Sequence, residues 1–123
     1  MEPEVAVVPV VVVKPIAQKI IAKWRIASLI QNDYFSNMSH PFTYTGVATD
    51  YFDVRTDGKI YIQIAPIGQD TLVYNLVNDS TINIEGDLTK IKTITDSKFE
   101  MYFKEIYSTT PLEYFELTTN LTK

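Results

Sequence analysis

The stretch DYFDVRTDGKIYIQIA, residues 50–65, decides the fold because it forms two alternating strands around a tight Asp-Gly turn. A two-residue turn would set Ile60 opposite the charged Arg55. A three-residue loop with Gly58 left-handed instead pairs Val54 with Ile60, which is the predicted register. This register gathers five apolar side chains on one face: Phe52, Val54, Ile60, Ile62 and Ile64.

The same alternation predicts further antiparallel strands on both sides of this hairpin. A second three-residue loop pairs Leu76 with Ile82, and a tight turn follows at residues 85–87. A bulge is expected in residues 88–95, where apolar residues do not alternate. The eight predicted strands are residues 24–30, 50–55, 59–65, 72–76, 82–84, 88–95, 98–104 and 114–122.

Short turns between these strands indicate antiparallel pairing throughout. Apolar residues at helical spacing in residues 16–23 predict a short helix before the first strand. Eight strands with one apolar face each close most simply into an up-and-down barrel, which leaves no free edges. The fold class is therefore all-β, with a two-sheet β-sandwich as the alternative.

The composition supports one domain and excludes several functions. The chain has 123 residues, of which 46% are hydrophobic, so it can form a single core. A net charge of −4 argues against nucleic-acid binding, which needs clustered Lys and Arg. Without cysteine there is no disulfide, thiolate nucleophile or cysteine-ligated zinc.

Residues 1–15 are predicted to form a Val/Pro-rich arm that precedes a barrel domain of residues 16–123. Seven of the eleven valines lie at positions 5–13, in an apolar run too short to span a bilayer. Three prolines favour a tether, whereas the four valines at 10–13 could add a strand to a sheet edge. An arm that docks on another copy would mediate self-association.

Residues 31–47 are predicted to be a long loop. They contain turn-forming residues and no periodicity, yet they carry several aromatic side chains. A 17-residue loop in so small a domain is unusual and is often functional.

Three segments carry a resemblance to a known family. Ala22-Lys23-Trp24 resembles the Gly-X-Trp motif that opens the first lipocalin strand, with alanine in place of glycine. Residues 51–61 and 91–99 resemble the small lipocalin-like domains of Bacteroidetes, and the similarity extends over residues 16–123. The resemblance implies a calycin-like barrel that binds a small hydrophobic or amphipathic ligand. It also implies export to the cell envelope after a leader is removed, as a periplasmic, outer-membrane-anchored or secreted protein.

An enzyme is not expected. The one histidine, His40, is predicted to be a solvated loop side chain rather than a general base. The sequence has no phosphate-binding glycine loop and no metal-ligand spacing, so neither a cofactor nor a metal is predicted.

The barrel interior is either filled or open to one small ligand. Its large aromatic residues favour a filled interior. A filled barrel would have no ligand pocket, and the protein would then be a structural or protein-interaction module that acts through the arm or residues 31–47. A cavity of about 300 Å³ or more would favour a ligand. Trp24, Ile26, Ser28 and Ile30 are expected to share one face, with Trp24 packing the closed end.

Further inward residues are predicted by the same alternation. They are Phe52, Val54, Ile62, Tyr74, Phe99, Met101, Phe103, Phe115 and Leu117. Ligand contact is predicted for four aromatic residues of the loop and two inward side chains. These six are Tyr34, Phe35, Phe42, Tyr44, Tyr74 and Met101. The hydroxyl of Tyr74 would need a hydrogen-bond partner or a ligand.

Overall fold

A computed structural model describes residues 15–123, which form one short helix and nine strands. The predicted arm, apart from Pro15, lies outside the described residues. Within 15–123, no helix has the length and apolar character needed to cross a membrane. The elements are α1 (Ile16–Lys19), β1 (Ala22–Phe35), β2 (Met38–Thr45), β3 (Tyr51–Val54), β4 (Lys59–Ile64), β5 (Gly68–Asn78), β6 (Thr81–Ile84), β7 (Asp87–Ile94), β8 (Lys98–Thr109) and β9 (Leu112–Thr122).

Eight of the nine strands form a closed antiparallel barrel. Strands β3 to β9 pair in chain order, and β1 closes the barrel by pairing with both β3 and β9. The predicted up-and-down barrel is confirmed, and the alternative of a two-sheet sandwich is wrong. Closure follows from the pattern of one apolar face per strand, since a closed sheet buries that face along its whole circumference.

Both predicted hairpin registers are confirmed. Val54 pairs with Ile60, and Gly58 has a φ of 79°, as a left-handed glycine in a three-residue loop requires. Leu76 pairs with Ile82 in the second hairpin, but the predicted three-residue loop there is wrong. A register shift between Leu76 and Asn78 lets Asn78 pair with Thr81, so the turn has only two residues, Asp79 and Ser80. The expected bulge in β7 lies between Ile91 and Thr93.

The predicted loop over residues 31–47 is wrong, because most of these residues belong to a ninth strand and its partner. β1 continues to Phe35 and pairs with β2. The paired residues run from Ser28 opposite Thr45 to Phe35 opposite Met38. Ser36 and Asn37 form a two-residue turn with φ values of 54° and 56°, a geometry that asparagine tolerates well. Nearly all of β2 is exposed, so backbone pairing rather than burial holds it, and no apolar alternation reveals it.

A bulge in β1 also corrects the predicted face of the first strand. Trp24 and Ile26 point inward as expected, but the register against β9 shifts between Ile26 and Ser28. Beyond the shift, Leu29 faces the interior, while Ile30 is outward and 39% exposed. One extra residue in the strand reverses the facing of every residue after it.

One end of the barrel is closed by α1 and the core beneath it. The helix is a single turn, shorter than the predicted residues 16–23, because β1 begins at Ala22. Ile20 and Trp24 are fully buried, and the Trp24 indole Nε1 donates to the Ile20 carbonyl at 2.9 Å. Trp24 also packs on Phe99, with 5.5 Å between ring centroids. Trp24 therefore packs the closed end, as predicted.

The opposite, open end carries the turns between β4 and β5, β6 and β7, and β8 and β9. There the β7–β8 ladder stops at Lys90–Tyr102, whereas the β8–β9 ladder continues to Thr109–Leu112. β1 and β9 likewise stay paired up to Tyr34–Tyr114. Residues 28–45 and 103–119 thus form a four-stranded extension that projects past the barrel, in the order β2-β1-β9-β8.

Candidate functional site

A cavity of about 360 Å³ lies at the open end of the barrel, between the barrel strands and the base of the extension, and opens to solvent. Its wall is predominantly apolar, built from Leu29, Phe52, Ile64, Ile67, Leu72, Ile84, Met101, Phe103 and Leu117. Among the described residues, five polar ones also line it, and these are Gln31, Glu85, Asp87, Thr89 and Thr119. The expectation that aromatic side chains fill the barrel is therefore wrong for this end.

Strand alternation places the cavity side chains in rows that cross three neighbouring strands. Leu29 of β1 pairs with Thr119 of β9, which pairs in turn with Met101 of β8. The next row toward the open end consists of Gln31, Leu117 and Phe103. The β1 bulge makes these rows continuous, because without it Ser28 and Ile30 would face inward instead.

The core separates the cavity from the closed end. Met101 and Phe52 line the cavity and are only 2% and 8% exposed. Below them the buried side chains include Trp24, Val54 and Phe99, all predicted to point inward. The cavity is therefore a pocket with one mouth, not a channel through the barrel.

The mouth carries two carboxylates on the turn between β6 and β7. Glu85 and Asp87 flank Gly86, and both are exposed to solvent. Glu85 and Gly86 have φ values of 55° and 90°, which makes the tight turn predicted at this position. The Glu85 carboxylate accepts a hydrogen bond from the Val73 amide at 2.9 Å, which orients it.

Two buried threonines add hydroxyl groups to the wall. Thr89 is 7% exposed and its hydroxyl donates to the Asp87 carbonyl at 3.3 Å. Thr119 is 5% exposed, and its hydroxyl forms no hydrogen bond with any group of residues 15–123. Among the described residues, the buried side-chain polar atom without a hydrogen-bond partner is Asn32 Oδ1 and not the Thr119 hydroxyl. The Thr119 hydroxyl therefore faces the cavity, where water can reach it, and valine would fill the same space in the wall.

Thr119→Val is expected to leave the free energy of unfolding unchanged or to raise it by about 1 kcal/mol. The substitution keeps the side-chain shape and the strand propensity while removing an unpaired hydroxyl. Thr89→Val is the matched control, since it removes a hydroxyl that has an acceptor and should lower stability. Urea unfolding of the three proteins checks this order. A Thr119→Val protein less stable than Thr89→Val would contradict it.

Of the six residues predicted to contact a ligand, Met101 lines the cavity. Phe35, Phe42 and Tyr44 lie on the extension, on the face that continues the cavity wall: Phe42 pairs with Gln31 and Tyr44 with Leu29. Phe42 is 60% exposed beside the mouth. Phe35 stacks on the His40 ring with 3.9 Å between centroids. The Tyr44 hydroxyl donates to the Asp50 carboxylate.

The other two predicted residues lie elsewhere. Tyr34 is on the outer face of the extension, stacked on Tyr114 with 4.9 Å between ring centroids. The Tyr74 hydroxyl donates to the Arg55 carbonyl at 2.6 Å, near the closed end. Burial raises the pKa of Tyr74, as does the negative charge of Asp57. Tyr74 has thus found the partner it needs within the protein, and it is not among the described residues lining the cavity.

Sequence reasoning predicts an inward or core-facing position for five wall residues, Phe52, Ile64, Met101, Phe103 and Leu117, and it misses other parts of the wall. Leu29 and Gln31 were hidden by the β1 bulge, which leaves no clear mark in the sequence. Glu85 and Asp87 were assigned to a turn, but their place at the mouth depends on the barrel. Counting turns could have found it, since alternate turns of an up-and-down barrel lie at the same end.

Within residues 15–123, the histidine and the most strongly perturbed tyrosine lie outside the cavity lining. His40 is exposed on β2, with its Nδ1 3.1 Å from the Asp33 carbonyl oxygen. The part of the chain that the structure describes contains no group of three potential metal ligands. A half-buried polar pair lies on the outer face, where the Tyr102 hydroxyl donates to the Glu116 carboxylate. Burial, together with that hydrogen bond, raises the pKa of Tyr102 to about 12.

Comparisons with protein-family models, with curated proteins and with solved structures gave no match. The barrel and its cavity are therefore the observations from which a function follows.

Proposed function

We propose that this chain is a non-enzymatic, lipocalin-like binding protein that holds a small hydrophobic or amphipathic molecule in the cavity at the open end. The observation that carries the proposal is the apolar cavity of about 360 Å³. This volume is at the small end of the range of ligand pockets, about 300–1,000 Å³. It also exceeds the volume of about 300 Å³ above which a ligand-binding barrel is favoured over a filled one.

The shape and lining of the cavity support this function. A pocket with one mouth, a buried floor and a mostly apolar wall removes apolar ligand surface from water at about 25 cal/mol per Å². The exposed Phe42 and Phe35 extend an apolar surface from the mouth along the extension. A ligand longer than the cavity could rest its outer part there.

The proposed ligand binding is tested with N-phenylnaphthylamine, an uncharged probe whose fluorescence rises in apolar surroundings. Leu72→Trp is expected to weaken probe binding at least about tenfold, because the indole would occupy the cavity. The cavity provides room for the ring, so the unfolding temperature should stay close to that of the parent.

Val73→Trp is the matched control for this experiment. Val73 is the next residue on β5, is 58% exposed and points outward, so the same indole there leaves the cavity open. Probe binding by the parent and Val73→Trp, with loss in Leu72→Trp, supports the proposal. Equal binding by all three folded proteins, or no binding by the parent, contradicts it.

The proposed compartment is the cell envelope, reached by export. The resemblance of residues 51–61 and 91–99 to Bacteroidetes lipocalin-like domains supports both the family assignment and this compartment. Fractionation of cells that produce the full precursor tests the compartment, and recovery in the cytosolic fraction would overturn it.

A second candidate function is a protein-interaction module, which the exposed apolar residues of the extension favour. Met38 and Phe42 are each 60% exposed on β2, whose outer edge has no strand partner within residues 15–123. Light scattering at increasing protein concentration, with and without residues 1–14, tests self-association through this edge or the arm. If both proteins are monomers at every concentration, self-association through this edge or the arm is ruled out.

A further inference from the structure

Within residues 15–123, the charged side chains at the cavity mouth are all acidic. Among the residues that line the cavity, the charged side chains are Glu85 and Asp87, and none is Lys or Arg. Both are acidic side chains that are exposed to solvent. The apolar wall beside them has a low dielectric constant. The electrostatic field of the two carboxylates is therefore stronger at the mouth than it would be in open water.

The wall deeper in the cavity also contains a polar group, the hydroxyl of Thr119. Thr119 is only 5% exposed and lines the cavity. Its hydroxyl has no hydrogen-bond partner within residues 15–123. The hydroxyl is not among the enclosed polar atoms that lack a partner, so it faces the open space of the cavity. A bound water or a polar atom of a ligand would complete it.

From these observations we infer that the cavity selects an amphiphile with a cationic head, such as a primary amine on an alkyl chain. This inference rests on the proposed binding function and specifies its ligand class. The apolar body occupies the barrel interior, while the head remains at the mouth beside Glu85 and Asp87. An alkyl carboxylate of the same length would bring a third negative charge to the mouth, and binding would be weakened by repulsion.

The test compares three molecules with the same chain, decylamine, decanol and decanoate, by displacement of N-phenylnaphthylamine below their micelle concentrations. The shared chain keeps the apolar contribution constant, so differences in affinity report the head group. The expected order is amine, then alcohol, then carboxylate, with about fivefold between neighbours at low salt. The differences should shrink as salt rises. Decanoate binding as tightly as decylamine would overturn the inference.

The double variant Glu85→Gln with Asp87→Asn tests the residues themselves. Glutamine retains an oxygen to accept from the Val73 amide, so the turn should keep its structure. We expect the variant to bind decylamine about fivefold more weakly, to bind decanol unchanged and to bind decanoate more tightly.

Asp79→Asn with Asp96→Asn is the matched control. It makes the same change in net charge on exposed turns at the closed end and should leave the order of binding intact. An equal loss of decylamine binding in both double variants would overturn the role of the mouth carboxylates.

The outcomes also separate this inference from the proposed function. If the probe and decanol bind but decylamine binds no better than decanol, the cationic preference is wrong and ligand binding stands. If the parent binds neither the probe nor any of the three molecules, the proposed function fails together with the inference.

Discussion

Gly46→Ala is expected to destabilise the barrel by about 3 kcal/mol, which is at the upper end for overpacking. A Cβ at position 46 would lie 1.7 Å from the Ile26 carbonyl oxygen and 2.6 Å from its carbonyl carbon. Both atoms belong to the backbone of β1, so no side-chain rotation can relieve the clash. The Gly46 amide also donates to the Ala27 carbonyl at 3.1 Å, which holds the two segments together.

The position of this contact makes it important for the cavity as well as for stability. Gly46 touches β1 at Ile26, directly before the bulge that turns Leu29 and Gln31 inward. A shift of β1 there would disturb the wall on that side. Folded Gly46→Ala protein is therefore expected to bind N-phenylnaphthylamine more weakly than the parent.

Gly68→Ala is the control, measured by urea unfolding in parallel. Gly68 has a φ of 94° with nothing within 4 Å of an added Cβ, so alanine there costs only backbone strain, about 1–2 kcal/mol. Comparing the two variants separates the cost of a steric clash, at Gly46, from the cost of a backbone conformation that alanine disfavours, at Gly68. A smaller loss for Gly46→Ala than for Gly68→Ala would show that β1 can move away at little cost.

Asp50→Asn is expected to cost about 3 kcal/mol despite its nearly unchanged shape. The Asp50 side chain is 1% exposed and accepts three hydrogen bonds. Its Oδ1 accepts from the Ala65 amide at 2.9 Å, and its Oδ2 accepts from the Val47 amide at 3.0 Å and from the Tyr44 hydroxyl. The carboxylate thereby ties the β2–β3 connection to the β4–β5 turn.

Asparagine cannot replace this carboxylate because each oxygen accepts from a backbone amide. In either orientation of the asparagine side chain, its NH₂ group would face a backbone N–H donor. Tyr44→Phe is the control, since it removes one hydrogen bond and leaves both backbone donors satisfied, at about 1–2 kcal/mol. Urea unfolding near neutral pH should rank Asp50→Asn as the more damaging change, and the reverse order would contradict this account.

The difference in stability between the parent and Asp50→Asn is expected to depend on pH, because it depends on the ionisation of Asp50. Burial raises that pKa, but the hydrogen bonds from Tyr44, Val47 and Ala65 together lower it below the ordinary value of 3.8. A carboxyl whose folded pKa is depressed adds stability above its unfolded pKa and loses it as the pH falls through the folded value. The stability gap between the parent and Asp50→Asn should therefore narrow below pH 3.8, and a constant gap would contradict this.

Much of the barrel could be predicted because its hairpins are specified locally. The pairs Val54–Ile60 and Leu76–Ile82 each follow from a short turn and a period of two. The prediction was wrong where backbone pairing rather than burial holds a strand. β2 is exposed on almost every residue, so its side chains show no alternation, and its turn at Ser36 and Asn37 was read as part of a loop.

The candidate site was less predictable than the fold. Alternation with Phe99 and Phe103 predicts that Met101 points inward, and Met101 lines the cavity. The same rule predicts an inward Tyr74, whose hydroxyl instead bonds the Arg55 carbonyl near the closed end. Alternation tells which face a side chain occupies and not how far along the barrel axis it lies. That height depends on strand pairing around the whole circumference, so the depth of Tyr74 and the position of Glu85 could not be read locally.

The sequence by itself determined the all-β class, the antiparallel order and the two hairpin registers, since turn residues and alternation act over a few neighbouring residues. Tertiary structure alone decided the β1 bulge, the ninth strand and the cavity. The bulge depends on the contact of Gly46 with Ile26 and on pairing with β9, which join residues far apart in the chain. The cavity remains because Leu29, Thr119 and Met101 meet across three strands without filling the barrel above them.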